Sequence, residues 1–284
     1  MNKFYVVSNI VRDPECKMAE EICSYLRNKG KTCQYIGIER DDYDDSESVK
    51  KLKEIDDDTE CVIVLGGDGT IIQVSGILAR KSLPIIGVNL GNMGFLAEVD
   101  KDKITPALDR LVNDDFFFEN RMMLSGTIVT NGCESSKLYA FNDIVVKAHG
   151  NKVGYFDLDV NDRRLTSFSG DGIIVATPTG STAYSMSAGG AVVEPSSELI
   201  LITPVSPHTG VPRSVVLSAD DTVVIRVPMP DGKRTNLITA YFDGGVSFDL
   251  NPGDEVVIRK ATHYVRFIKF NKESFLDVLA RKMS

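Results

Sequence analysis

The sequence predicts an α/β domain built on a parallel sheet, then a strand-rich, all-β second domain, with a last helix returning to the first. Three observations predict it. Apolar strand-like runs alternate with helix-period segments as far as Phe116, and turn-punctuated strands dominate beyond it. At 284 residues the chain is also long enough for two domains of about 100–200 residues each. The expected division is 1–118, completed by about 265–284, and 119–264.

The elements follow in order. Lys3 to Ile10 carries Phe4, Tyr5, Val6 and Val7, a run suited to a buried strand. Asp13-Pro14 reads as an N-cap followed by proline at the first helical position. Met18, Ile22 and Leu26 then repeat every four residues, and Gly30 stops that helix. Strands are expected at Thr32 to Ile38, Cys61 to Leu65 and Pro84 to Asn89, with helices at Glu47 to Ile55, Thr70 to Arg80 and Asp102 to Val112. Such alternation implies a parallel sheet covered on both faces.

Beyond Phe116, strands are expected at Met122 to Thr130, Leu138 to Lys147, Tyr155 to Val160, Gly172 to Ala176, Leu199 to Thr203, Thr222 to Val227 and Leu237 to Phe242. Asn131-Gly132, Asn161-Asp162 and Asp231-Gly232 mark turns between them. Ser181 to Ala188 reads as a short helix, and Glu273 to Lys282 as the final one.

Composition narrows the function classes. Lys and Arg total 32 against 40 Asp and Glu, a net charge of −8 that argues against a generally basic nucleic-acid binder. Much of the excess sits in Glu39, Asp41, Asp42, Asp44, Asp45 and Glu47, which read as a solvated loop before a metal site. No apolar stretch approaches the roughly 18 residues that span a bilayer. The first residues lack a secretory h-region. Cys16, Cys23, Cys33, Cys61 and Cys133 are scattered, without a CxxC pair, and read as small hydrophobes in a reducing compartment. A cytoplasmic location, with no membrane and no nucleic-acid partner, is expected.

Two glycine turns are the most informative local features. Gly66-Gly-Asp-Gly-Thr70 follows a wholly apolar strand and opens a helix. In a parallel sheet this junction lies at the carboxyl end of a strand, where ligands bind. Gly66, Gly67 and Gly69 let backbone N–H groups approach a phosphate, and the helix start adds partial positive charge. Asp68 repels phosphate unless it has separate work, such as accepting a hydroxyl proton or holding magnesium through water. The plainer reading has Asp68 simply capping the helix. The next strand ends in Asn89-Leu-Gly-Asn-Met-Gly-Phe-Leu96, a second turn of the same kind. A P-loop is excluded, because Tyr25 stands where Gly30-Lys31-Thr32 would need its first glycine. The protein-kinase signatures and the Gly-x-Ser-x-Gly elbow are also missing.

The second domain offers neutral polar groups. Asn142-Asp143 can hold both hydroxyls of a ribose, the amide donating and the carboxylate accepting, or can simply turn the chain into a strand. Gly170-Asp-Gly through Ser-Ala-Gly-Gly190 brings Thr177, Thr179, Ser181, Thr182, Tyr184, Ser185 and Ser187 around a helix start. Helix capping accounts for one or two of those hydroxyls. The set suits an uncharged ligand edge such as adenine or nicotinamide.

Taken in order, these blocks resemble the NAD kinase family, which phosphorylates the adenosine-ribose 2′-hydroxyl of NAD to make NADP. Arg121-Met-Met-Leu124 and Thr203-Pro-Val-Ser-Pro-His-Thr209 support the resemblance, which spans roughly Lys3 to Lys282. The Gly-Gly-Asp-Gly-Thr block alone also occurs in lipid kinases and phosphofructokinases. The Thr-Pro-Thr-Gly-Ser-Thr-Ala-Tyr run is specific.

The resemblance implies an active site between the two domains, with Asp68 as the catalytic aspartate and Gly69, Phe95 and Leu96 along the dinucleotide. It places Asn142 and Asp143 on the family's Asn-Glu pair, and Asp171, Thr182, Ala183, Tyr184 and Ser187 on its NAD-binding positions. Gly66, Gly67 and Thr70 form the phosphate turn. The substrates implied are ATP (or polyphosphate) and NAD, with Mg²⁺ or another divalent metal held through the donor phosphates. Homodimers or homotetramers are implied as well, with a residue near Ser206 reaching a neighbouring subunit. Two departures stand out: Asp143 is one methylene shorter than the usual Glu, and Gly244-Gly245 lacks a side chain that some relatives use on the ligand. The alternatives are a lipid or sugar kinase, which needs an acyl pocket or a different acceptor site, and a non-catalytic NAD(P) sensor, which binds without turnover.

Overall fold

The computed structural model describes residues 1–39, 46–91, 94–150, 152–210, 213–229, 237–271 and 274–283. Asp41, Asp42, Asp44 and Asp45 of the acidic run, Asn92-Met93 of the second glycine turn, the Asp231-Gly232 turn and Glu273 lie outside them. The chain divides into two compact units, Met1–Arg121 with His263–Ser284, and Met122–Thr262.

In the first unit, strands β1 (Lys3–Asn9), β2 (Thr32–Ile38), β3 (Cys61–Gly66) and β4 (Pro84–Asn89) alternate with helices α1 (Lys17–Asn28), α2 (Glu47–Lys53), α3 (Asp68–Leu78) and α4 (Ile104–Val112). All strand pairs are parallel, in the order β4-β3-β1-β2. Arg266 and Phe267, near the end of the long strand Glu255–Lys269, extend the sheet by pairing in parallel with Pro84 and Ile85.

Every β3 residue is buried because both faces are covered. Phe4, Val6, Ile63, Leu65, Ile86 and Val88 point into one core with Ile22 and Leu26 of α1 and Leu108 and Leu111 of α4. The alternate residues Val62 and Val64 are equally buried on the other side, where α3 follows β3. The final helix, Phe275–Met283, belongs to this unit.

Helix α1 starts later than Asp13-Pro14 predicts. A 3-10 turn, Pro14–Cys16, intervenes, with Glu15 and Cys16 in left-handed conformations. Asp13 still serves the helix: its buried carboxylate accepts the Met18 and Ala19 N–H groups at 2.9 and 3.2 Å and the Ser8 hydroxyl at 2.7 Å.

The second unit is antiparallel throughout its main pairings. One sheet runs Val215–Ser218, Leu199–Val205, Gly172–Ala176, Asp143–Ala148, Ile238–Phe242, Val246–Leu250. Another places Arg163–Gly170 beside Gly154–Val160, then Val223–Arg226 and the start of Glu255–Lys269. The expected turns at Asn131-Gly132 and Asn161-Asp162 are present, each with both residues at positive φ as a tight hairpin requires.

Two expectations are corrected here. Leu138 to Lys147 is not one strand: it breaks into Leu138–Ala140 and Asp143–Ala148 around Phe141-Asn142. The helix over Ser181 to Ala188 is interrupted at Ala183, whose ψ of −128° separates a 3-10 turn, Thr179–Thr182, from the single turn Tyr184–Ser187.

Candidate active site

The glycine turns sit at the carboxyl ends of two adjacent parallel strands, β3 and β4, whose last residues Gly66 and Asn89 pair. The Leu90 N–H donates to the Gly66 carbonyl, which ties one turn to the other. From the end of β1, the Asn9 amide donates to the Thr70 hydroxyl at 3.0 Å. Three neighbouring strand ends thus fix the start of α3.

Asp68 opens α3 but does not cap it; the capping position is Gly67, with no side-chain bond. The carboxylate instead accepts the Phe95 N–H at 2.6 Å and the Leu96 N–H at 3.2 Å. Gly94 makes this approach possible, since a Cβ there would lie 1.7 Å from Asp68 Oδ1. Gly67 is different: among the described residues, a Cβ on it would meet no atom within 4 Å beyond its own chain neighbours. The space beside that backbone is open to a ligand, as a phosphate-cradling turn requires. Gly69 is half-buried beside it, and Phe95 is half-buried while Leu96 is buried.

In the second unit the break before Asp143–Ala148 is held from both sides. The Asp243 carboxylate accepts the N–H groups of Phe141, Asn142 and Asp143 at 2.6, 2.7 and 3.1 Å. The Asn142 carbonyl accepts the Thr177 N–H at 2.8 Å. Among the described residues, no hydrogen bond reaches the side chain of Asn142 or of Asp143. Asp143 is buried, and burial first, then the neighbouring Asp243 charge, pushes its carboxyl up to about 7. Burial likewise lifts Asp243 to about 6, against the three N–H bonds that favour its ionised form.

The hydroxyl-rich segment behaves otherwise than its composition suggests. Thr177 Oγ1 donates to the Phe141 carbonyl and accepts the Gly180 N–H. Ser181 exchanges hydrogen bonds with the Val193 backbone, Thr182 donates to the Thr179 carbonyl, and Ser185 meets Thr203 at 3.0 Å. These hydroxyls hold an irregular turn in place because a break in a buried chain leaves backbone groups to satisfy. Tyr184, 41% exposed, and the exposed Ser187 remain at the surface. Ala183 sits at the interruption between the two helical turns. Asp171 is exposed, its N–H bonded to the Val205 carbonyl, and Ser206 follows with a φ of +46°.

The structure therefore gathers Gly66, Gly67, Asp68, Gly69, Thr70, Phe95 and Leu96 into one cluster, and links Asn142 and Asp143 through Thr177 to the segment that carries Thr182, Ala183, Tyr184 and Ser187. It adds Asp243, which the sequence reading passed over in favour of the glycines after it. The available signal was an Asp-Gly pair at a hairpin position.

Known proteins match the chain along its length. Residues 7–116 match the ATP-NAD kinase N-terminal domain and residues 142–270 the ATP-NAD kinase C-terminal domain. An NAD kinase of Lachnospira eligens is 37% identical over 293 residues, covering all of both chains. One from Agathobacter rectalis is 37% identical over 284 residues, covering all of this chain and 99% of its own. Two solved structures share the fold. Yeast NADH kinase complexed with NADH has a TM-score of 0.82 at 20% identity, over 100% of this chain and 87% of its own. An NAD kinase from Archaeoglobus fulgidus in complex with ATP has a TM-score of 0.77 at 24% identity, over 98% of each. With both domains matched in order and full-length relatives above 30% identity, the chain belongs to the ATP-NAD kinase family.

Proposed function

We propose that the protein transfers the γ-phosphoryl group of ATP to the 2′-hydroxyl of the adenosine ribose of NAD, giving NADP. One observation carries the reading: the Asp68 carboxylate, held by the Phe95 and Leu96 N–H groups between two glycine turns at adjacent strand ends. It occurs in a chain aligned along its whole length with relatives named NAD kinase.

Phosphoryl transfer asks a protein mainly for positioning and charge neutralisation. The N–H groups at the start of α3 ahead of Thr70, whose own N–H is taken by the Gly67 carbonyl at 3.0 Å, receive the donor phosphates, as helix starts do for anions. Asp68 orients the 2′-hydroxyl and takes its proton late, since a carboxylate is a weak base. Each of its oxygens accepts one N–H, which leaves further lone pairs for that work. Mg²⁺ or another divalent cation, when bound, neutralises the donor phosphates. Asp68 fits such an ion, because Mg²⁺ is commonly held by one or two carboxylates together with phosphate oxygens. Among the described residues no group of three or more His, Cys, Asp or Glu is placed to hold a metal alone.

On the acceptor side, Asn142 and Asp143 take the ribose hydroxyls of NAD, and their unbonded side chains support this role. Phe95, Leu96, Asp171, Thr182, Ala183, Tyr184 and Ser187 complete the NAD-binding set, and Ser206 serves a neighbouring subunit in a homodimer or homotetramer. The family resemblance supports these assignments and a cytoplasmic setting. No helix among the described residues is long and apolar enough to cross a membrane.

The test is to incubate the protein with Mg-ATP and NAD and detect NADP with an NADP-specific dehydrogenase. NADP accumulation is expected; none above a no-enzyme control overturns the proposal.

A further inference from the structure

We infer that Asp243 is a positioning residue for NAD: its carboxylate gathers the N–H groups of Phe141, Asn142 and Asp143 and so holds that pair in its ligand-binding pose. The inference rests on the reading of Asn142 and Asp143 as the ribose-binding pair.

Where Leu138–Ala140 breaks from Asp143–Ala148, three consecutive N–H groups would lack partners, and burying them unpaired is costly. Asp243 supplies all three partners from a tight turn about 100 residues downstream, in which it and Gly244 have φ of +49° and +70°. Aspartate tolerates that left-handed conformation better than most side chains. The Asp243 N–H in turn donates to the Asp143 carbonyl at 3.0 Å, closing a two-way clamp. Thr177 and Gly180 secure the opposite side, where a Cβ on Gly180 would lie 2.1 Å from the Asn142 carbonyl oxygen. Backbone bonds thus fix the pair completely and leave both side chains for a ligand.

The clamp has an electrostatic signature. Among the described residues, Asp243 is the one charged group acting on Asp143 from the elements packed around it. Strand Gly172–Ala176 carries no charged side chain, and Lys147, on Asp143's own strand, lies over the Tyr241 ring. Asp143 accepts hydrogen bonds from hydroxyls best when ionised, so NAD affinity falls as pH drops through about 7. Removing the Asp243 charge moves that fall to lower pH, and a selective rise in KM for NAD above the limb, where Asp143 is ionised in both proteins, reports the lost pose.

The experiment measures KM for NAD, KM for ATP and kcat from about pH 5.5 to 8.5 for the native protein and for Asn142→Ala, Asp143→Asn and Asp243→Asn. Asn142→Ala and Asp143→Asn raise KM for NAD. Asp243→Asn raises it roughly tenfold, the scale of one hydrogen bond to a charged group, with KM for ATP within about twofold. The acidic limb near pH 7 shifts downward in Asp243→Asn and vanishes in Asp143→Asn. A native KM for NAD and an unshifted limb in Asp243→Asn overturn the positioning role, while defects in the other two variants still support the ribose-binding pair. Native KM values in Asn142→Ala and Asp143→Asn overturn the pair's role and this inference with it. Should Asp243→Asn fail to fold, a native profile with no acidic limb that Asp143→Asn removes overturns the inference on its own.

Discussion

The Phe95 backbone N–H donates to the Asp68 carboxylate at 2.6 Å, so the first residue of α3 is held by the loop beyond β4 rather than by its own helix. The contact exists because Gly94 has no side chain: a methyl group there would overlap Asp68 Oδ1 at 1.7 Å and Cγ at 2.2 Å. Gly94→Ala should therefore displace the carboxylate. A shift of about 1 Å can cost about a hundredfold in rate, so kcat should fall on that scale while the fold persists. Steady-state kinetics beside a thermal melt checks it, and a native kcat would contradict the link.

Asp68→Asn keeps the shape and one accepting oxygen but removes the charge and the proton acceptor. Turnover should drop by orders of magnitude while NAD still binds. Coupled NADP detection and calorimetric NAD titration separate the two effects. Near-native turnover would remove Asp68 from the chemistry.

Asp143 makes stability depend on pH with a definite sign. Its folded value of about 7 lies above the ordinary 3.8, so the folded state holds the proton more tightly between those limits. Native stability therefore falls as pH rises through that window, and the cost is full above about 7. Asp143→Asn should stabilise the protein at pH 8 by at most about 4 kcal/mol, from about 1.4 kcal/mol per pKa unit, and by little below about pH 4. Unfolding titrations across pH measure the difference. Equal gains at both ends would show that Asp143 is not held neutral by its surroundings.

Five free thiols differ in access. Cys133 is exposed, whereas Cys16, Cys23, Cys33 and Cys61 are buried, and burial pushes the Cys16 and Cys61 thiols up. A thiol reagent should modify one cysteine quickly in the native protein and the other four only after denaturation. Loss of the fast phase in Cys133→Ser checks the assignment; two fast thiols in the native protein would contradict it.

Much of the first unit was legible because its signals are local. An apolar run such as Cys61 to Leu65 is a buried strand wherever it lies, and glycines past its end make a tight turn for steric reasons alone. In the second unit, Arg163–Gly170 escaped notice because its first five residues are exposed or only partly buried. Glu255–Lys269 was legible in principle, since Val256 and Ile258 alternate with less buried residues, but its charges masked the period.

The sequence by itself determined the strands of the α/β unit, the two glycine turns and the order of motifs that marks the family. Only the tertiary structure decided what the polar residues in those motifs do. Thr177 is satisfied by a carbonyl 36 positions away, Ser185 by a hydroxyl 18 away, and Asp243 by N–H groups about 100 away. A hydroxyl or carboxylate looks the same in sequence whether a ligand or the chain's own backbone is its partner. Hydrogen bonding is directional and short-ranged, so the partner is settled only when folding brings distant segments within about 3 Å.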